Sequence, residues 1–518
     1  MAGNDGMLHQ FDATNGNEIY AYLPGALMIN STDPALSTTS NNPLANLADP
    51  AYGSVAKPHQ FYNDGELTIV DAYVQLAGDA PGKYWHTILV GTTGRGPARA
   101  VYALDVTDPA NPKPLWERYA GDSNTLDSNS GYIGQMVGKP VVAQTGGDGT
   151  TAGSWSVLVG NGYNSPKATA ALLQFDLATG QLYVHTTGDT SDGLAAPLVW
   201  MDYPDVFMSD YAYAGDLSGN LWSFPLVTVN VSNGQNPTTT FTPSPSAAGV
   251  KLFTTSDGTK TQPITSAPWA AQVPSTAPAV DNPRSVWLFF GTGKYLTQTD
   301  VNDQSVQSWY GVKAQTTAGN GPVNAFTRTD SGMVTRSIIA EQAKTSSQLA
   351  VRAVTQPNAT TDPYSANDMT GKKGWVLDLT SPGSSGAQGE RMVAPNQLQG
   401  NLLIGTTRIP KPSSDVSDPC NPAGSGWIMA VNPFSGTGPV TNFFDTNSDG
   451  VINGSDTITV GGQQVPAAGL GFTSLPNAPI FIGGDMLLSF DNGTTATAMT
   501  NSSSGTYSRV SWQELITK

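Results

Sequence analysis

One short unit recurs along the chain and limits what it can fold into. Gly3-Asn4-Asp5-Gly6-Met7-Leu8-His9-Gln10-Phe11-Asp12 begins with a turn-forming Asn-Asp-Gly. A strand follows, with Met7, His9 and Phe11 on one face and Leu8 and Gln10 on the other. It closes on Asp12-Ala13-Thr14-Asn15-Gly16, a polar turn that reverses the chain. The same ending returns at Leu104-Asp105-Val106-Thr107, Phe175-Asp176-Leu177-Ala178-Thr179-Gly180 and Leu377-Asp378-Leu379-Thr380, and in degenerate form at Val431-Asn432-Pro433-Phe434-Ser435-Gly436. In each turn the Asp is expected to accept hydrogen bonds from backbone N–H groups about two residues on.

Two further pieces belong to the unit. Gly215 to Phe224 repeats the opening turn and strand, and apolar strands stopped by glycine run from Trp85 to Gly91, Trp155 to Gly160, Trp287 to Gly291 and Leu402 to Gly405. Each of these is expected to be the inner strand of a blade, where glycine lets backbones approach closely. A single four-stranded sheet cannot bury both faces, but sheets arranged radially cover one another. The expectation is therefore an all-β chain, a modified seven-bladed β-propeller read as one domain over 1–518; a tandem of β-sandwiches is the competing architecture. Charged residues make up only 12% of the chain, against about 25% in an average protein, and Gly 56 and Pro 37 supply turn formers in quantity.

The repeat endings are unevenly spaced, often by more than the roughly 40–50 residues of a blade, so long loop insertions are expected. The candidates are Leu23 to Lys57, Asn230 to Ser266 (230–266) and Thr316 to Thr370 (316–370), all rich in Ser, Thr, Asn, Pro or Gly. One short helix at most is expected, over Ser337 to Val351, with Ile338, Ile339, Ala343 and Leu349 on its apolar face.

A formal net charge of −16 repels phosphate backbones and argues against nucleic acid as a partner, while favouring cations at acidic loops. No apolar run of about 20 residues marks a transmembrane segment. No signal-peptide layout opens the chain, and the repeat begins directly behind Met1-Ala2, so a fragment with its targeting signal upstream is expected. Cys420 is the only cysteine, which rules out an internal disulfide framework and leaves its pairing open.

The sharpest chemical signal is Asp445-Thr446-Asn447-Ser448-Asp449-Gly450-Val451-Ile452-Asn453-Gly454-Ser455-Asp456. It matches the calcium-loop spacing D-x-[DN]-x-[DN]-G. Alternation turns Asp445, Asn447 and Asp449 toward one centre, Gly450 permits the sharp turn, and the Val451 carbonyl can then face inward. Asn453, at loop position nine, offers an amide oxygen or holds a ligating water, and Asp456, at position twelve, or a water closes the shell. Oxygen-only donors favour Ca²⁺ over zinc or copper, and without a cation the two carboxylates of Asp445 and Asp449 repel one another. Val440 to Phe444 and Thr457 to Val460 read as flanking strands, so the loop is not an EF-hand. The bland alternative is an Asp/Asn-rich surface turn without metal.

Other constellations carry less. Asp122 to Asn129 and Asp300-Val301-Asn302-Asp303 are acidic without the alternate spacing and glycine, and read as solvated loops. Gly291-Thr292-Gly293-Lys294-Tyr295 lacks the earlier glycine and the trailing Ser/Thr of a phosphate loop, and the glycines from Gly91 to Gly96 do not open a helix. His9, His59, His86 and His185 show no ligand spacing and no nucleophile elbow appears, so no catalysis is expected.

The repeat from Gly3 to Gly16 resembles those of quinoprotein-like propellers. Together with the loop from Asp445 to Asn453, the segment Asp300 to Val312 with Gln307 and Tyr310-Gly311-Val312, and the terminal Arg509-Val510-Ser511-Trp512-Gln513-Glu514-Leu515, it makes the chain similar to the C-terminal propeller of the PilY/PilC family of type IV pilus-associated proteins. The resemblance implies a secreted, non-catalytic protein at the pilus tip or cell surface, reached through the periplasm and outer membrane. It implies pilins, major and minor, as partners, and host or abiotic surfaces as adhesion targets. It further implies that Ca²⁺ held by Asp445, Asn447, Asp449, the Val451 carbonyl and Asn453 sets the balance of pilus extension and retraction, with effects on twitching motility and virulence. The family's last ligand is typically Asp; Asn453 carries one negative charge fewer, which weakens binding. The Arg-Gly-Asp motif of some members is absent, and the family's N-terminal adhesive region is not in this sequence.

Two other classes compete. A PQQ-dependent quinoprotein dehydrogenase would share the repeats, but such enzymes typically set a vicinal cysteine pair beside the quinone and Cys420 stands alone. A metal-free scaffold propeller would share the fold and leave the acidic loop empty.

Overall fold

The computed structural model describes residues 1–28, 43–54, 56–57, 59–122, 129–146, 154–190, 193–202, 208–231, 239–244, 246–273, 285–315, 323–357, 369, 371–383, 387–411 and 424–501. Among them every extended element belongs to a β-sheet, and helix is limited to 3₁₀ turns such as Gly25–Met28, Pro43–Ala48, Ser130–Tyr132 and Gln298–Asn302. Five sheets have four to six strands and four have two or three. The residues group into two compact units, one holding most of 1–256, the other most of 269–518.

In the first unit the hairpin Leu8–Phe11/Glu18–Tyr22 is followed by three larger sheets. One runs Leu67–Val74, Tyr84–Thr92, Ala100–Asp105, Lys113–Tyr119; the next Val141–Gln144, Trp155–Gly160, Ala171–Asp176, Leu182–Thr186. The third runs Leu198–Trp200, Tyr211–Gly215, Asn220–Pro225, Val250–Thr254 and, parallel to the last, Phe326–Thr327. Alternation in each strand sends side chains to two buried faces. Val157 and Val159 pack with Ile88, Val90, Val101 and Ala103 of the sheet before, while Leu158 and Leu172 pack with Ala212, Ala214 and Phe224 of the sheet after. Burial on both sides explains why Ala100–Leu104 reads as an unbroken apolar run, and Ala171–Phe175 as one interrupted by buried Gln174, instead of alternating.

In the second unit a five-stranded sheet runs Trp269–Gln272, Val286–Gly291, Ser308–Gln315, Gly374–Asp378, Met333–Arg336. A six-stranded one runs Ile338–Gln342, Ala350–Val354, Gly469–Phe472, Gly424–Val431, Leu402–Pro410, Gln397–Gln399. The first packs Phe289, Trp309, Trp375 and Leu377 against Leu403, Met429 and Val431 of the second, with Met392 from the segment ahead of Gln397–Gln399 in the same cluster. On its far side the six-stranded sheet packs Val351, Ile404, Ile428 and Leu470 with Phe443, Phe444, Ile458, Met486 and Leu488. Ile458 and Met486 come from the small sheets Thr457–Val460/Gln463–Pro466 and Ile480–Ile482/Asp485–Ser489/Thr495–Met499. The acidic segment 445–456 therefore sits on this layer.

The repeated turn forms as its sequence dictates in four places. Asp12 and Asp105 accept the N–H two residues on, from Thr14 at 2.8 Å and Thr107 at 3.0 Å. Asp176 accepts from Ala178 and Thr179, and Asn432 from Phe434 and Ser435. Where glycine stands four residues after the Asx it takes a left-handed φ, +70° at Gly180 and +69° at Gly436, and donates back to the Asx carbonyl at 2.9 and 2.8 Å. Asp378 departs from the pattern: it accepts from Ser308 and pairs with Arg328 at 2.6 Å.

Two of these turns serve as seats for tryptophan. The Trp116 indole N–H donates to the Leu177 carbonyl at 2.8 Å, and a Cβ on Gly180 would lie 2.7 Å from its ring. Arg118, two residues along the same strand, donates to the Gly180 carbonyl at 2.9 Å. Trp375 repeats the arrangement on the second unit, donating to the Pro433 carbonyl at 2.7 Å with its ring 2.5 Å from a Cβ on Gly436, while Arg336 donates to the Ser435 carbonyl. Each indole belongs to one sheet and its seat to the next along the chain, so the turn locks adjacent sheets.

Several expectations need revision. Residues 337–351 form no helix: Ile338–Gln342 and Ala350–Val354 pair antiparallel, because Ile338 is buried while Ile339 is exposed, a period of two, and Ala350–Val354 is held on its other side by Gly469–Phe472. The stretch 230–266 contains Val250–Thr254, a full member of a five-stranded sheet, and 316–370 contains Met333–Arg336, Ile338–Gln342 and Ala350–Val354. The glycine-ended strands stand second in their sheets, between two neighbours, and not at an edge. The reason for glycine there is nonetheless close approach: a Cβ on Gly160 would meet the Ala195 carbonyl oxygen at 1.8 Å. Cys420 and Arg509 to Leu515 lie outside the described residues.

Candidate metal centre

Buried Phe443 and Phe444 lead into the acidic loop, anchored in the layer below. Of the expected strand Val440 to Phe444 only an isolated bridge forms, Phe444 to Thr500, whereas Thr457–Val460 is a strand as its alternation requires. Left-handed backbone at Ser448 (φ +60°) and Gly450 (φ +80°) coils the segment between them.

Asp445 is the pivot. Its carboxylate accepts from the Ser448 N–H at 2.6 Å and the Gly450 N–H at 2.9 Å, so the loop wraps around the first expected ligand. Asp449 accepts from the Val451 N–H at 2.8 Å and from the Asn447 side chain at 3.0 Å. Asn453 faces back over the turn, its amide 3.3 Å from the Val451 carbonyl. All five sequence-derived positions thus fall within one hydrogen-bonded loop, with Asp445 buried and Asp449, Val451 and Asn453 open to solvent.

Asp456 plays a different part from the one its position suggested. Fully buried, it accepts from the Thr446 N–H at 2.7 Å and the Asn453 N–H at 2.8 Å, one with each carboxylate oxygen, and so ties the two ends of the loop together. Asn442, which sequence reasoning missed, donates its side-chain amide to the Asn453 carbonyl. Its signal was present as one more Asn ahead of the Asp445 repeat, but without a spacing rule to single it out.

Among the described residues no three His, Cys, Asp or Glu side chains gather as a metal cluster. A cation here would draw on two carboxylates, two amide oxygens and a backbone carbonyl. Such a set suits a hard ion that accepts neutral oxygen and water, which is the coordination chemistry of Ca²⁺, so the residues fit the ion the spacing implied.

The remaining candidates resolve into structural roles. Asp300 caps the turn at Gln298–Asn302, accepting from Leu296 and Thr297 and pairing with Lys294. Of the stretch Asp122 to Asn129, Asp122 pairs with buried Arg118 at 2.7 Å, and 123–128 lie outside the described residues. His9 lies between Asp5 and Glu18, and the Glu18 hydrogen bond lifts it above its ordinary value; His86 lies between Asp79 and Asp105. His59 meets Asn4. His185 is buried, with Gln174 and the Ala247 carbonyl at its two nitrogens, and burial pushes it down to about 4.

Stacked, mainly antiparallel sheets locked by indole-bearing turns, with an oxygen-rich loop on the outer layer, define a repeat protein of the propeller class. The chain belongs to the PilY1 beta-propeller domain family, whose model matches residues 1–351. It is 37% identical over 525 residues to a type IV pilus biogenesis factor PilY1 homolog of Xylella fastidiosa, covering 100% of this chain and 35% of that protein. To the type IV pilus biogenesis factor PilY1 of Pseudomonas aeruginosa strain PAK it is 33% identical over 484 residues, 90% of this chain and 37% of that protein. The chain therefore spans about a third of the length of these curated relatives. Its fold is similar to the crystal structure of the Pseudomonas aeruginosa PilY1 C-terminal domain, with a TM-score of 0.69 and 26% identity, covering 97% of this chain and 91% of that one. The acidic loop lies beyond the residues that the family model matches.

Proposed function

We propose that this chain is the non-catalytic, calcium-binding propeller of a type IV pilus biogenesis protein. In this reading Asp445, Asn447, Asp449, the Val451 carbonyl and Asn453 hold Ca²⁺, with water completing the shell. The protein is secreted, works at the pilus tip with major and minor pilins, and uses calcium occupancy to set extension against retraction, and with it twitching motility and adhesion. The observation that carries the metal is the wrapped loop itself: two carboxylates share a turn among backbone N–H groups with no cationic side chain paired to either among the described residues, and a divalent ion relieves their repulsion. The relatives' role in pilus biogenesis supports the rest.

One feature of the loop favours a metal-free scaffold as the second reading. Asp456 holds the loop closed through Thr446 and Asn453 without any ion. Calorimetric titration of chelated protein decides between them: Ca²⁺ heat that disappears in Asp445→Ala and Asp449→Ala supports the first, and no heat in the wild type leaves the scaffold. Pilus counts that respond to Ca²⁺ equally in wild type and Asp449→Ala would place the switch elsewhere.

A further inference from the structure

Among the described residues, three turns join an Asx to a left-handed glycine four residues later whose N–H returns to the Asx carbonyl: Asp12–Gly16, Asn432–Gly436 and Asp176–Gly180. They share their internal bonds. Gly16 donates to the Asp12 carbonyl at 2.7 Å, as Gly180 and Gly436 do to theirs. Two of them carry an indole, and they carry it identically: the N–H on the carbonyl one residue after the Asx, and the ring against the glycine.

The third is bare. A Cβ on Gly16 would meet nothing within 4 Å, and among the described residues no hydrogen bond reaches the Ala13 carbonyl, the equivalent of Leu177 and Pro433. The side chain just before the Asx gives an independent sign. Phe175, stacked on Trp116 at 5.5 Å, and Val431 are fully buried. Phe11, in the same place, is 47% exposed, and among the described residues only His9 stacks on it. A solvent-facing phenyl ring beside a glycine with open space and an idle carbonyl is the binding half of the same joint, lacking its other half.

We propose that the Asp12–Gly16 turn is an open indole socket. It takes a tryptophan side chain presented on an extended strand, the indole N–H donating to the Ala13 carbonyl, the ring lying on Gly16 and Phe11. Selectivity for tryptophan follows from the need for a flat apolar surface and a single in-plane donor; phenylalanine lacks the donor, and tyrosine carries its hydroxyl at the far end of the ring. Glycine at position 16 serves two requirements, the left-handed backbone and the absence of a side chain under the ring.

The test places the photo-crosslinker benzoyl-phenylalanine at Phe11 in the full-length protein and maps its adducts by mass spectrometry. An adduct on a tryptophan-bearing peptide is expected. Gly16→Asn, which tolerates left-handed backbone but covers the socket floor, lowers its yield by at least about tenfold, the effect of roughly 1.4 kcal/mol. Gly188→Asn, at another left-handed glycine with open space around it, leaves the yield unchanged and shows that the loss does not come from a changed turn elsewhere. Adducts confined to peptides without tryptophan, or a yield indifferent to Gly16→Asn, overturn the proposal. The same map separates the sources of the indole: an adduct lost in Trp512→Ala comes from this chain, and one that survives comes from other polypeptide.

Discussion

The Asp445 N–H donates to the Met499 carbonyl at 3.0 Å, so the first expected calcium ligand is bonded to the last residue of the strand Thr495–Met499. The next residue along, Thr500, donates to the Gly484 carbonyl at 2.7 Å, and Asn501 donates to the Phe443 carbonyl at 2.8 Å. Ion binding that rigidifies the loop must therefore be felt in this small sheet. Saturating Ca²⁺ is expected to slow amide hydrogen exchange at Asp445, Thr500 and Asn501, and the slowing should vanish in Asp449→Ala. Equal protection with and without the ion would disconnect the loop from the sheet.

Asp456 should matter to folding more than to the ion. Its two oxygens accept from the two ends of the loop in full burial, and its replacement by Ala strands the Thr446 and Asn453 N–H groups. A loss of about 2–3 kcal/mol follows from unsatisfied buried donors. Urea titration with chelator present checks it. Asp449→Ala, on the exposed side, is expected to cost under about 1 kcal/mol there while weakening Ca²⁺ binding.

The indole joints are expected to separate ring from donor. Trp116→Phe keeps a ring over Gly180 and loses the bond to the Leu177 carbonyl, at a cost of about 1 kcal/mol. Trp116→Ala opens a cavity between two sheets and costs about 3–5 kcal/mol. Chemical denaturation of the two variants gives both numbers. If Phe proved as damaging as Ala, the hydrogen bond and not the packing would be what holds the sheets.

The sequence was most legible where local chemistry alone sets the backbone. The turns at Asp12, Asp105, Asp176 and Asn432 follow from side-chain acceptors and glycine, and the five positions expected to hold calcium share one hydrogen-bonded loop because they are close neighbours in sequence. Failures came where long-range pairing decides. Ile338 to Val351 has a composition that permits a helix, but the neighbouring strand Gly469–Phe472, distant in sequence, claims Ala350–Val354. Polar stretches such as 230–266 hide sheet strands because Val250–Thr254 is only five residues long. Asp378 has the turn signature, yet Arg328 draws it away, an encounter no local reading contains. The Trp116 and Trp375 seats were half visible: the glycines stood out and their partners did not.

His185 gives a pH test whose sign distinguishes two protonation states. Its ring is fully buried, with Nε2 2.8 Å from the Gln174 side-chain oxygen, Nδ1 2.9 Å from the Ala247 carbonyl and Phe224 edge-on at 6.4 Å. Burial pushes the ring down from 6.5 to about 4, against the Ala247 carbonyl, which favours the charged form. The folded protein then keeps His185 neutral between pH 6.5 and about 4 while the unfolded chain takes up a proton. The unfolded state binds more protons in that window, so stability is full above pH 6.5, falls as the pH drops toward 4, and levels off below. The size is about 3 kcal/mol. Carboxylates titrate nearby, so the quantity to measure is the difference between wild type and His185→Gln in urea unfolding at pH 7.5 and pH 4.5. Wild type should lose about 2–3 kcal/mol more than the variant. Both neighbours of the ring are oxygens, however, and a neutral imidazole donates to only one of them. An opposite result, with acid favouring wild type over the variant, would mean that the two oxygens outweigh burial and that His185 is held as an imidazolium donating to both.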